Sequence, residues 1–259
     1  QTGTGKTAAY LLALLNCLIT NETIDRNTPR SSVNSPRGLV LAPTRELAIQ
    51  IFNDVKQLGV YVDLKVGLVY GGIDYELQRR QVSEGIDILI GTPGRIIDFF
   101  KQGLFTFKKV EALVLDEADR MFDLGFIKDL RYLLRRVPHP TKRLGMLFSA
   151  TLSFRVSELA YEFMNNPRTV KINPKQRTAE KVEQELYHVA STEKIALLIG
   201  ILRQLGKVRA IVFVNTKRMG SVVARYLNAN GCPSSTLSGD VEQAKRQRLI
   251  EDFKKGKIN

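Results

Sequence analysis

Tryptophan is absent from this chain of 259 residues, and cysteine and histidine occur only twice each. Cys17 and Cys232 lie far apart and form no paired motif, so neither a disulfide framework nor a zinc site is expected. His139 and His188 lack metal-ligating neighbours, and structural roles are expected for both. No apolar run approaches the length of a membrane span, and the N-terminus has no secretory pattern. A reducing, cytoplasmic compartment and no membrane contact are therefore expected.

Acidic residues are outnumbered in this chain. The 26 Asp and Glu residues face 39 Lys and Arg residues, which gives a formal net charge of +13. Such an excess favours acidic partners, and nucleic acid is the first candidate. A solvated basic surface with no specific partner accounts for the charge equally well.

Short apolar runs alternate with amphipathic stretches along the first two thirds of the chain. The runs are rich in Val, Ile and Leu, and their near-continuous hydrophobicity predicts a parallel sheet covered on both faces. The alternation predicts a doubly wound α/β domain. Strands are predicted at 38–42, 64–70, 87–90, 112–115 and 144–148. Helices are predicted at 6–18, 45–58, 75–84, 95–101, 127–136 and 156–165.

Two polar segments interrupt this alternation. Residues 21–37 are rich in Asn, Thr, Ser and Pro, which predicts a mobile surface loop. Residues 173–183 have no apolar period and predict a linker between domains. The first domain is therefore assigned to 1–172 and the second to 184–259.

The second domain repeats the α/β pattern with fewer elements. Strands are predicted at 184–189 and 209–214, and helices at 193–205, 216–230 and 242–255. A sheet this small leaves its helices under-covered. The second domain is therefore expected to be truncated, or ordered only in part.

The chain opens on a glycine-rich segment, Gln1-Thr2-Gly3-Thr4-Gly5-Lys6-Thr7, which runs directly into a predicted helix. Glycines let backbone N–H groups close around phosphate oxygens, and the helix N-terminus adds a favourable dipole. Lys6 can reach the β- and γ-phosphates, and the Thr7 hydroxyl can ligate magnesium. A turn with a chance Lys-Thr is the alternative. We predict a phosphate-binding loop for ATP and Mg²⁺, formed by Thr2, Gly3, Thr4, Gly5, Lys6 and Thr7.

Two carboxylates, Asp116 and Glu117, follow directly after the predicted strand at 112–115. The carboxyl end of a buried strand is where α/β sheets place ligand chemistry. Asp116 is predicted to hold magnesium through water, and Glu117 to polarise the attacking water. The alternative is an acidic first turn of a helix, which the helix dipole favours. Catalytic roles are accordingly predicted for Lys6, Asp116 and Glu117.

With Asp116-Glu117-Ala118-Asp119 the sequence resembles the DEAD-box RNA helicases, and further motifs of that family occur in the family's order. In the first domain they are Pro43-Thr44-Arg45-Glu46-Leu47-Ala48, Gly71-Gly72, Thr92-Pro93-Gly94-Arg95 and Ser149-Ala150-Thr151. In the second they are Val212-Phe213-Val214-Asn215-Thr216 and Gln243-Ala244-Lys245-Arg246. The resemblance covers essentially the whole chain. It implies a RecA-like P-loop domain with a parallel sheet, followed by a truncated second RecA-like α/β domain.

A closer resemblance is to the bacterial degradosome-associated members of that family. It is carried by Met121-Phe122-Asp123-Leu124-Gly125-Phe126-Ile127-Lys128-Asp129, Val69-Tyr70-Gly71-Gly72 and Leu237-Ser238-Gly239-Asp240-Val241. Ser238 departs from the commoner pattern, because many members have His there. The resemblance implies a bacterial cytoplasmic protein of RNA turnover. By analogy alone, it also implies an endoribonuclease scaffold that docks on the second domain.

The resemblance further implies a track for single-stranded RNA. In the first domain its residues are Pro43, Thr44, Arg45, Gly72, Thr92, Pro93, Gly94 and Arg95. In the second they are Asn215, Thr216, Lys217, Gly239 and Asp240. Amides at glycines and helix starts bind phosphate, and arginines add charge, so little base preference is expected. Helix capping is the alternative for Thr44 and Thr92, and a solvated helix start for Lys217.

The motif Ser149-Ala150-Thr151 is implied to couple the two ligands. Ser149 and Thr151 are expected to hydrogen-bond Asp119 and so to link the phosphate site to RNA. An ordinary cap after a strand is the alternative.

Some motifs of the family are missing from the sequence. A starting methionine is also lacking, and the chain opens inside a motif, so it is expected to be a fragment. The adenine-recognition motif would precede Gln1, and the last two motifs, with the arginine finger, would follow Asn259. An arginine finger contributes roughly 10³–10⁵ to the rate of phosphoryl transfer. The fragment alone is therefore expected to bind ATP weakly and hydrolyse it poorly.

Three functions are compatible with these residues. The first is an ATP-dependent RNA helicase in which ATP and RNA close two domains and part a short duplex locally. The second is a non-catalytic RNA-binding or annealing module. The third is a P-loop translocase or DNA-directed helicase, which the Asp-Glu-Ala-Asp and Pro-Thr-Arg-Glu-Leu-Ala forms disfavour.

Overall fold

A computed structural model describes residues 5–21, 34–72, 74–172, 182–206 and 208–256. The chain divides into two compact units, Gln1–Val170 and Lys171–Asn259. Most of the predicted loop at 21–37 and of the predicted linker at 173–183 lies outside the described residues. The same holds for Thr2, Gly3 and Thr4 of the predicted phosphate-binding loop.

The first unit contains a sheet of five parallel strands in the order β2-β3-β1-β4-β5. The strands are β1 (Gly38–Leu41), β2 (Val66–Val69), β3 (Ile88–Gly91), β4 (Ala112–Leu115) and β5 (Leu144–Leu147). Leu41 lies beside Gly91 on one side and Leu115 on the other. The carboxyl ends of these strands therefore lie level along one edge of the sheet, as the predicted α/β fold requires.

Seven α-helices and one short 3-10 helix accompany this sheet among the described residues. They are α1 (Lys6–Thr20), α2 (Arg45–Leu58), α3 (Tyr75–Ser83), α4 (Pro93–Lys101), α5 (Ala118–Asp123), α6 (Ile127–Leu134), the 3-10 helix Pro140–Lys142 and α7 (Phe154–Phe163). Helix α4 begins two residues before its predicted start, because proline suits the first helical position. Helix α5 was not predicted, since six residues are too few to show a helical period.

Each strand sends alternate side chains to opposite faces of the sheet, and helices cover both faces. On β1, Val40 packs on one face with Leu14 of α1 and Ile51 of α2. Leu39 packs on the other face, in a cluster that also holds side chains of α3, α4, α5, α6 and α7. Because both faces are buried, nearly every position of the central strands is apolar.

The predicted motifs of the first unit lie just beyond the five strand ends. They begin at Pro43 after β1, Gly71 after β2, Thr92 after β3, Asp116 after β4 and Ser149 after β5. Parallel pairing thus assembles segments distant in sequence along one edge, where α/β sheets bind ligands.

The second unit is helical in the residues that the structure describes. Its helices are α8 (Lys194–Leu205), α9 (Lys217–Ala229) and α10 (Gln243–Lys254). A small core contains Ile199, Val223 and Leu227. These helices agree with the predicted positions.

The strands predicted at 184–189 and 209–214 are wrong, because neither segment forms a strand in the structure. Leu186 is 81% exposed and Phe213 is 91% exposed. A strand needs a hydrogen-bonded neighbour on at least one side, and an apolar strand also needs a covered face. Neither segment has such a neighbour within the described part of this unit. The apolar composition was therefore not sufficient to produce a sheet.

The described helices include none that combines the length and the apolar composition needed to cross a membrane.

Candidate nucleotide and nucleic-acid site

Helix α1 presents its N-terminus as the first part of the candidate nucleotide site. Gly5 precedes the helix with φ of 74°, a left-handed conformation that glycine adopts without strain. Lys6 and Thr7 form the start of the helix, and its first turn contains no acidic residue. Free backbone N–H groups at such a helix start bind anions, so this end of α1 suits a phosphate group.

Asp116 lies at the end of β4 and is only 4% exposed. Its Oδ1 accepts a hydrogen bond from the Glu117 amide at 2.9 Å, and its Oδ2 accepts one from the Tyr10 hydroxyl at 2.9 Å. Burial raises the pKa of Asp116, while these two hydrogen bonds and the charge of Lys6 oppose the rise. The carboxylate predicted from sequence therefore faces the start of α1.

Tyr10 is a member of this site that the sequence did not reveal. Its side chain is fully buried, and its ring packs against Phe148 at 5.1 Å between centroids. Burial raises the pKa of Tyr10 strongly, and the charge of Asp116 and the hydrogen bond to it add to the rise. The signal was a single tyrosine in an aliphatic helix face, since a buried phenol needs a polar partner.

Glu117 has a left-handed backbone, with φ of 48° and ψ of 51°. A residue with a β-carbon in this region carries a strain of about 1–3 kcal/mol. The conformation turns the chain at once from β4 into α5. It also lets the Glu117 amide reach the side chain of Asp116. Backbone strain of this kind clusters at functional sites.

Asp119 connects α5 with the segment after β5. Its Oδ2 accepts hydrogen bonds from the Thr151 amide at 3.0 Å and the Thr151 hydroxyl at 2.9 Å. Its own amide donates to Ser149 Oγ at 3.3 Å. Burial works against ionisation, but the hydrogen bonds outweigh it and keep the pKa of Asp119 below its ordinary value. The contacts predicted between Asp119, Ser149 and Thr151 are therefore present.

Arg45 lies against the turn that follows β2. A side chain at Gly72 would collide with the Arg45 guanidinium, and Gly72 also has φ of 85°. The backbone conformation favours glycine here, and a β-carbon would also displace the Arg45 guanidinium from the turn. Thr44 caps α2 by accepting a hydrogen bond from the Leu47 amide at 3.3 Å. Two predicted RNA contacts, Arg45 and Gly72, are thus neighbours, and Thr44 also has the structural role named as its alternative.

Gln78 anchors the backbone at the start of this turn, and the sequence patterns did not identify it as a site residue. It is only 2% exposed. Its Oε1 accepts from the Tyr70 amide at 2.7 Å, and its Nε2 donates to the carbonyls of Tyr70 at 3.1 Å and Asp74 at 3.2 Å. The signal was a polar residue at a position where the period of α3 calls for an apolar one. Gln78 therefore holds the backbone that leads into Gly71 and Gly72.

The segment after β3 places Thr92 at the N-cap of α4 and Pro93 in its first turn. Thr92 makes no side-chain capping bond, unlike Thr44. The Arg95 guanidinium lies over the ring of Tyr75 at 4.9 Å and that of Phe99 at 5.4 Å. Arg95 is thus a stacked anchor between α3 and α4, a packing role that its motif did not indicate.

The predicted RNA contacts of the second unit are mostly exposed. Thr216 caps α9 by accepting from the Met219 amide at 3.2 Å. Lys217 and Asp240 form an ion pair at 2.5 Å, which joins two predicted contacts to each other. Asn215 and Gly239 are exposed. These residues form a polar surface within this unit.

Comparison with known families matches the first unit and much of the second. The DEAD/DEAH box helicase family matches residues 1–159, and the helicase conserved C-terminal domain matches residues 193–259. The chain belongs to the DEAD/DEAH box helicase family.

Curated relatives refine this placement. The chain is 50% identical to the ATP-dependent RNA helicase RhlB of Pseudoalteromonas atlantica and 51% identical to that of Idiomarina loihiensis. Each match covers 100% of this chain and 60% of the relative. The chain therefore spans about three fifths of the length of these DEAD-box helicases.

Solved structures of DEAD-box helicases share the fold. A Dbp5 variant of S. cerevisiae, solved bound to a Gle1 variant and IP6, aligns with a TM-score of 0.68 at 28% identity. The match covers 100% of this chain and 61% of that one. A DEAD box protein from Methanococcus jannaschii aligns with a TM-score of 0.58 at 31% identity, covering 100% of this chain and 66% of that one. The RecA-like α/β class expected from the motifs is thereby confirmed.

The residues of this DEAD-box site fit a nucleotide with magnesium. The Thr7 hydroxyl and the Asp116 carboxylate are hard oxygen donors of the kind that Mg²⁺ prefers. A Mg²⁺ ion on a nucleotide takes few protein ligands, because phosphates and water supply the rest. Clusters of three or more His, Cys, Asp or Glu side chains that could hold a metal unaided do not occur in the described ranges. The donor set therefore suits magnesium that arrives with a nucleotide.

Proposed function

We propose that the intact protein is an ATP-dependent, RNA-stimulated helicase that locally opens short RNA duplexes. The observation that carries this proposal is the short segment from Asp116 to Asp119 at one edge of the sheet. Its first carboxylate accepts a hydrogen bond from Tyr10 of α1, and its last accepts two from Thr151. A segment of this kind lets a ligand on α1 and β4 influence the segment after β5.

ATP with Mg²⁺, when bound and hydrolysed to ADP and phosphate, would supply the free energy for the cycle. Lys6 binds the ATP phosphates through its positive charge. The amides at the start of α1 bind them through hydrogen bonds at the positive end of the helix dipole. The Thr7 hydroxyl would ligate the metal, and the Asp116 carboxylate would hold it through water. Glu117 orients the water that attacks the terminal phosphate, and its fixed left-handed backbone limits the directions available to its side chain.

RNA binds to the residues that follow β1, β2 and β3, supplemented by the polar residues of the second unit. The Arg45 guanidinium and the exposed amides at Gly72 and Gly94 suit phosphate oxygens. Backbone contacts of this kind discriminate poorly between bases. The net charge of +13 favours association with RNA and predicts a strong dependence on salt.

The two units act together in this proposal. ATP and RNA bound at once favour closure, closure bends the RNA and separates a short duplex, and hydrolysis reopens the protein. By analogy with the relatives, the process serves RNA turnover in the bacterial cytoplasm. An endoribonuclease scaffold is the proposed protein partner, docking on the second unit.

The experiment compares ATP hydrolysis by the intact protein with RNA, with DNA of the same length and without nucleic acid. RNA should stimulate hydrolysis much more than DNA. Glu117→Gln should lower RNA-stimulated hydrolysis by about 10²–10⁴, the usual contribution of a general base, and leave ATP binding intact. Glu84→Gln, an exposed carboxylate at the end of α3, is the matched control and should behave as wild type.

Two results would favour other functions. Equal stimulation by DNA would indicate a translocase or a DNA-directed helicase. Strand annealing that does not depend on ATP, and that Glu117→Gln leaves unchanged, would indicate a non-catalytic RNA-binding module.

A further inference from the structure

The Tyr10 hydroxyl lies beside the carboxylate of the nucleotide site. It donates to Asp116 Oδ2 at 2.9 Å. Thr7 and Tyr10 are three residues apart on α1, so they share one face of that helix. Tyr10 therefore connects α1 to the carboxylate at the end of β4.

We propose that Tyr10 is a positioning residue for the magnesium–nucleotide site, which it serves by holding Oδ2 of Asp116 and so fixing the plane of the Asp116 carboxylate. The inference rests on the proposed ATP-dependent function and deepens it. Tyr10 acts through its neighbours and touches neither the nucleotide nor the metal in this scheme.

The carboxylate is held at both of its oxygens. The Glu117 amide holds Oδ1 and the Tyr10 hydroxyl holds Oδ2, each at 2.9 Å. A carboxylate oxygen has more than one acceptor direction, so each keeps capacity for a water on the metal. These two hydrogen bonds prevent rotation of the Asp116 carboxylate and leave it able to bind a water molecule on the metal. Partners that orient metal-binding carboxylates in this way commonly change metal affinity 10- to 100-fold when they are removed.

The phenol itself is rigidly placed. Its ring is fully buried and packs against Phe148, the residue that follows β5. A change of the Tyr10 side-chain rotamer therefore cannot withdraw the hydroxyl without disturbing the core. A tyrosine that merely satisfied its hydroxyl inside the core would influence stability alone, whereas a positioning residue also changes the response to Mg²⁺.

The first experiment measures nucleotide binding to the intact protein by calorimetry, with ADP as the probe, across a Mg²⁺ titration and in EDTA. Tyr10→Phe removes one oxygen atom and keeps the ring. It should raise the Mg²⁺ concentration for half-maximal binding by about tenfold and leave the affinity in EDTA unchanged. Tyr132→Phe is the matched control, because its ring packs against Phe100 on the other face of the sheet. It should titrate as wild type.

A second experiment tests the contact itself. Urea unfolding of Tyr10→Phe, Asp116→Asn and the double variant forms a cycle that isolates the interaction of the two side chains. The hydrogen bond to a charged group should appear as a coupling of about tenfold or more in the unfolding equilibrium constant. Additive single variants would overturn the inference without any nucleotide being present.

The failure of this inference differs from the failure of the proposed function. Nucleotide binding that ignores Mg²⁺ in the wild-type protein would overturn both. A wild-type protein that responds to Mg²⁺, together with a Tyr10→Phe variant of unchanged titration, would overturn the positioning role alone.

Discussion

Thr151 donates two hydrogen bonds to one carboxylate oxygen of Asp119, from its amide at 3.0 Å and from its hydroxyl at 2.9 Å, across 32 positions of sequence. The two residues follow adjacent strands, β4 and β5, of the parallel sheet. A displacement of either segment therefore disturbs the other. This contact motivates the first two predictions.

Replacing Thr151 by Val should uncouple ATP hydrolysis from duplex opening. Valine has nearly the same shape but removes the hydroxyl bond to Asp119, which as a bond to a charged group contributes about 1.5–3 kcal/mol. Unwinding per ATP hydrolysed should fall about tenfold, with ATP affinity unchanged. The measurement pairs a duplex-opening assay with an ATPase assay on the intact protein. Thr20→Val, which removes an exposed hydroxyl bond to the Asn16 carbonyl, is the control. Equal losses of unwinding and hydrolysis would contradict the coupling role.

Asp119 should make stability depend on pH in the acid range. Its pKa is lower in the folded protein than the ordinary value of about 3.9, so the folded state favours the charged form. Its stabilisation is fully present above the unfolded pKa and is lost as pH falls through the folded pKa. Urea unfolding of wild type and Asp119→Asn should therefore differ most near neutral pH and converge in acid. A difference that grows on acidification would contradict this sign.

Replacing Asp116 by Asn should raise the free energy of unfolding at pH 7, by about 1 kcal/mol. The wild-type carboxylate is 4% exposed and is destabilised by burial, whereas an amide carries no charge. Mg²⁺-dependent nucleotide binding should be lost in the same variant, which is the exchange of stability for function common at active sites. Urea unfolding and ADP calorimetry measure the two effects. A variant less stable than wild type would show that the carboxylate contributes net stability.

Replacing Gln78 by Leu should weaken RNA binding and lower stability together. Leucine leaves the amide and carbonyl of Tyr70 without their side-chain partner, at a cost of about 1–3 kcal/mol for each buried group left unpaired. The turn at Gly71 and Gly72 then loses its anchor. RNA affinity should fall several-fold, with the affinity for ADP unchanged.

Gln81→Leu tests whether the effect belongs to this position, because Gln81 is exposed on the same helix. It should leave RNA affinity and urea stability as in wild type. Fluorescence anisotropy with a short single-stranded RNA measures the affinity. Equal weakening of RNA and ADP binding by Gln78→Leu would indicate general destabilisation and contradict a role in the turn.

The local patterns in the sequence were sufficient for most of the first unit. Apolar runs such as Ala112–Leu115 predicted the parallel strands, because a strand buried on both faces must be apolar throughout. Because the run Ala112–Leu115 predicted a buried strand, Asp116 was predicted to lie at the end of that strand. The second unit departs from this rule: Phe213 lies in an apolar run but is 91% exposed. Strand formation requires a neighbour to pair with, and composition does not reveal whether one exists.

Tyr10 and Arg95 show a different limit of sequence patterns. Tyr10 has the spacing of a core residue on α1, and Arg95 belongs to a motif associated with RNA. The first proves to bond a site carboxylate, and the second to stack on Tyr75 and Phe99. The contacts of Tyr10 with Asp116 and of Arg95 with Tyr75 join different elements, so no local period contains them, whereas Arg95 and Phe99 lie one turn apart on α4.

The sequence by itself determined which residue types are present, in which order, and which segments become strands, helices and glycine turns in the first unit. Those properties depend on neighbours along the chain. The tertiary structure alone decided which side chains meet: Tyr10 with Asp116, Gln78 with Tyr70, and Asp119 with Thr151. Parallel pairing of β4 with β5 brings Asp119 to Thr151, because it aligns the carboxyl ends of two strands. Packing of α1 against β4 brings Tyr10 to Asp116, and packing of α3 against β2 brings Gln78 to Tyr70.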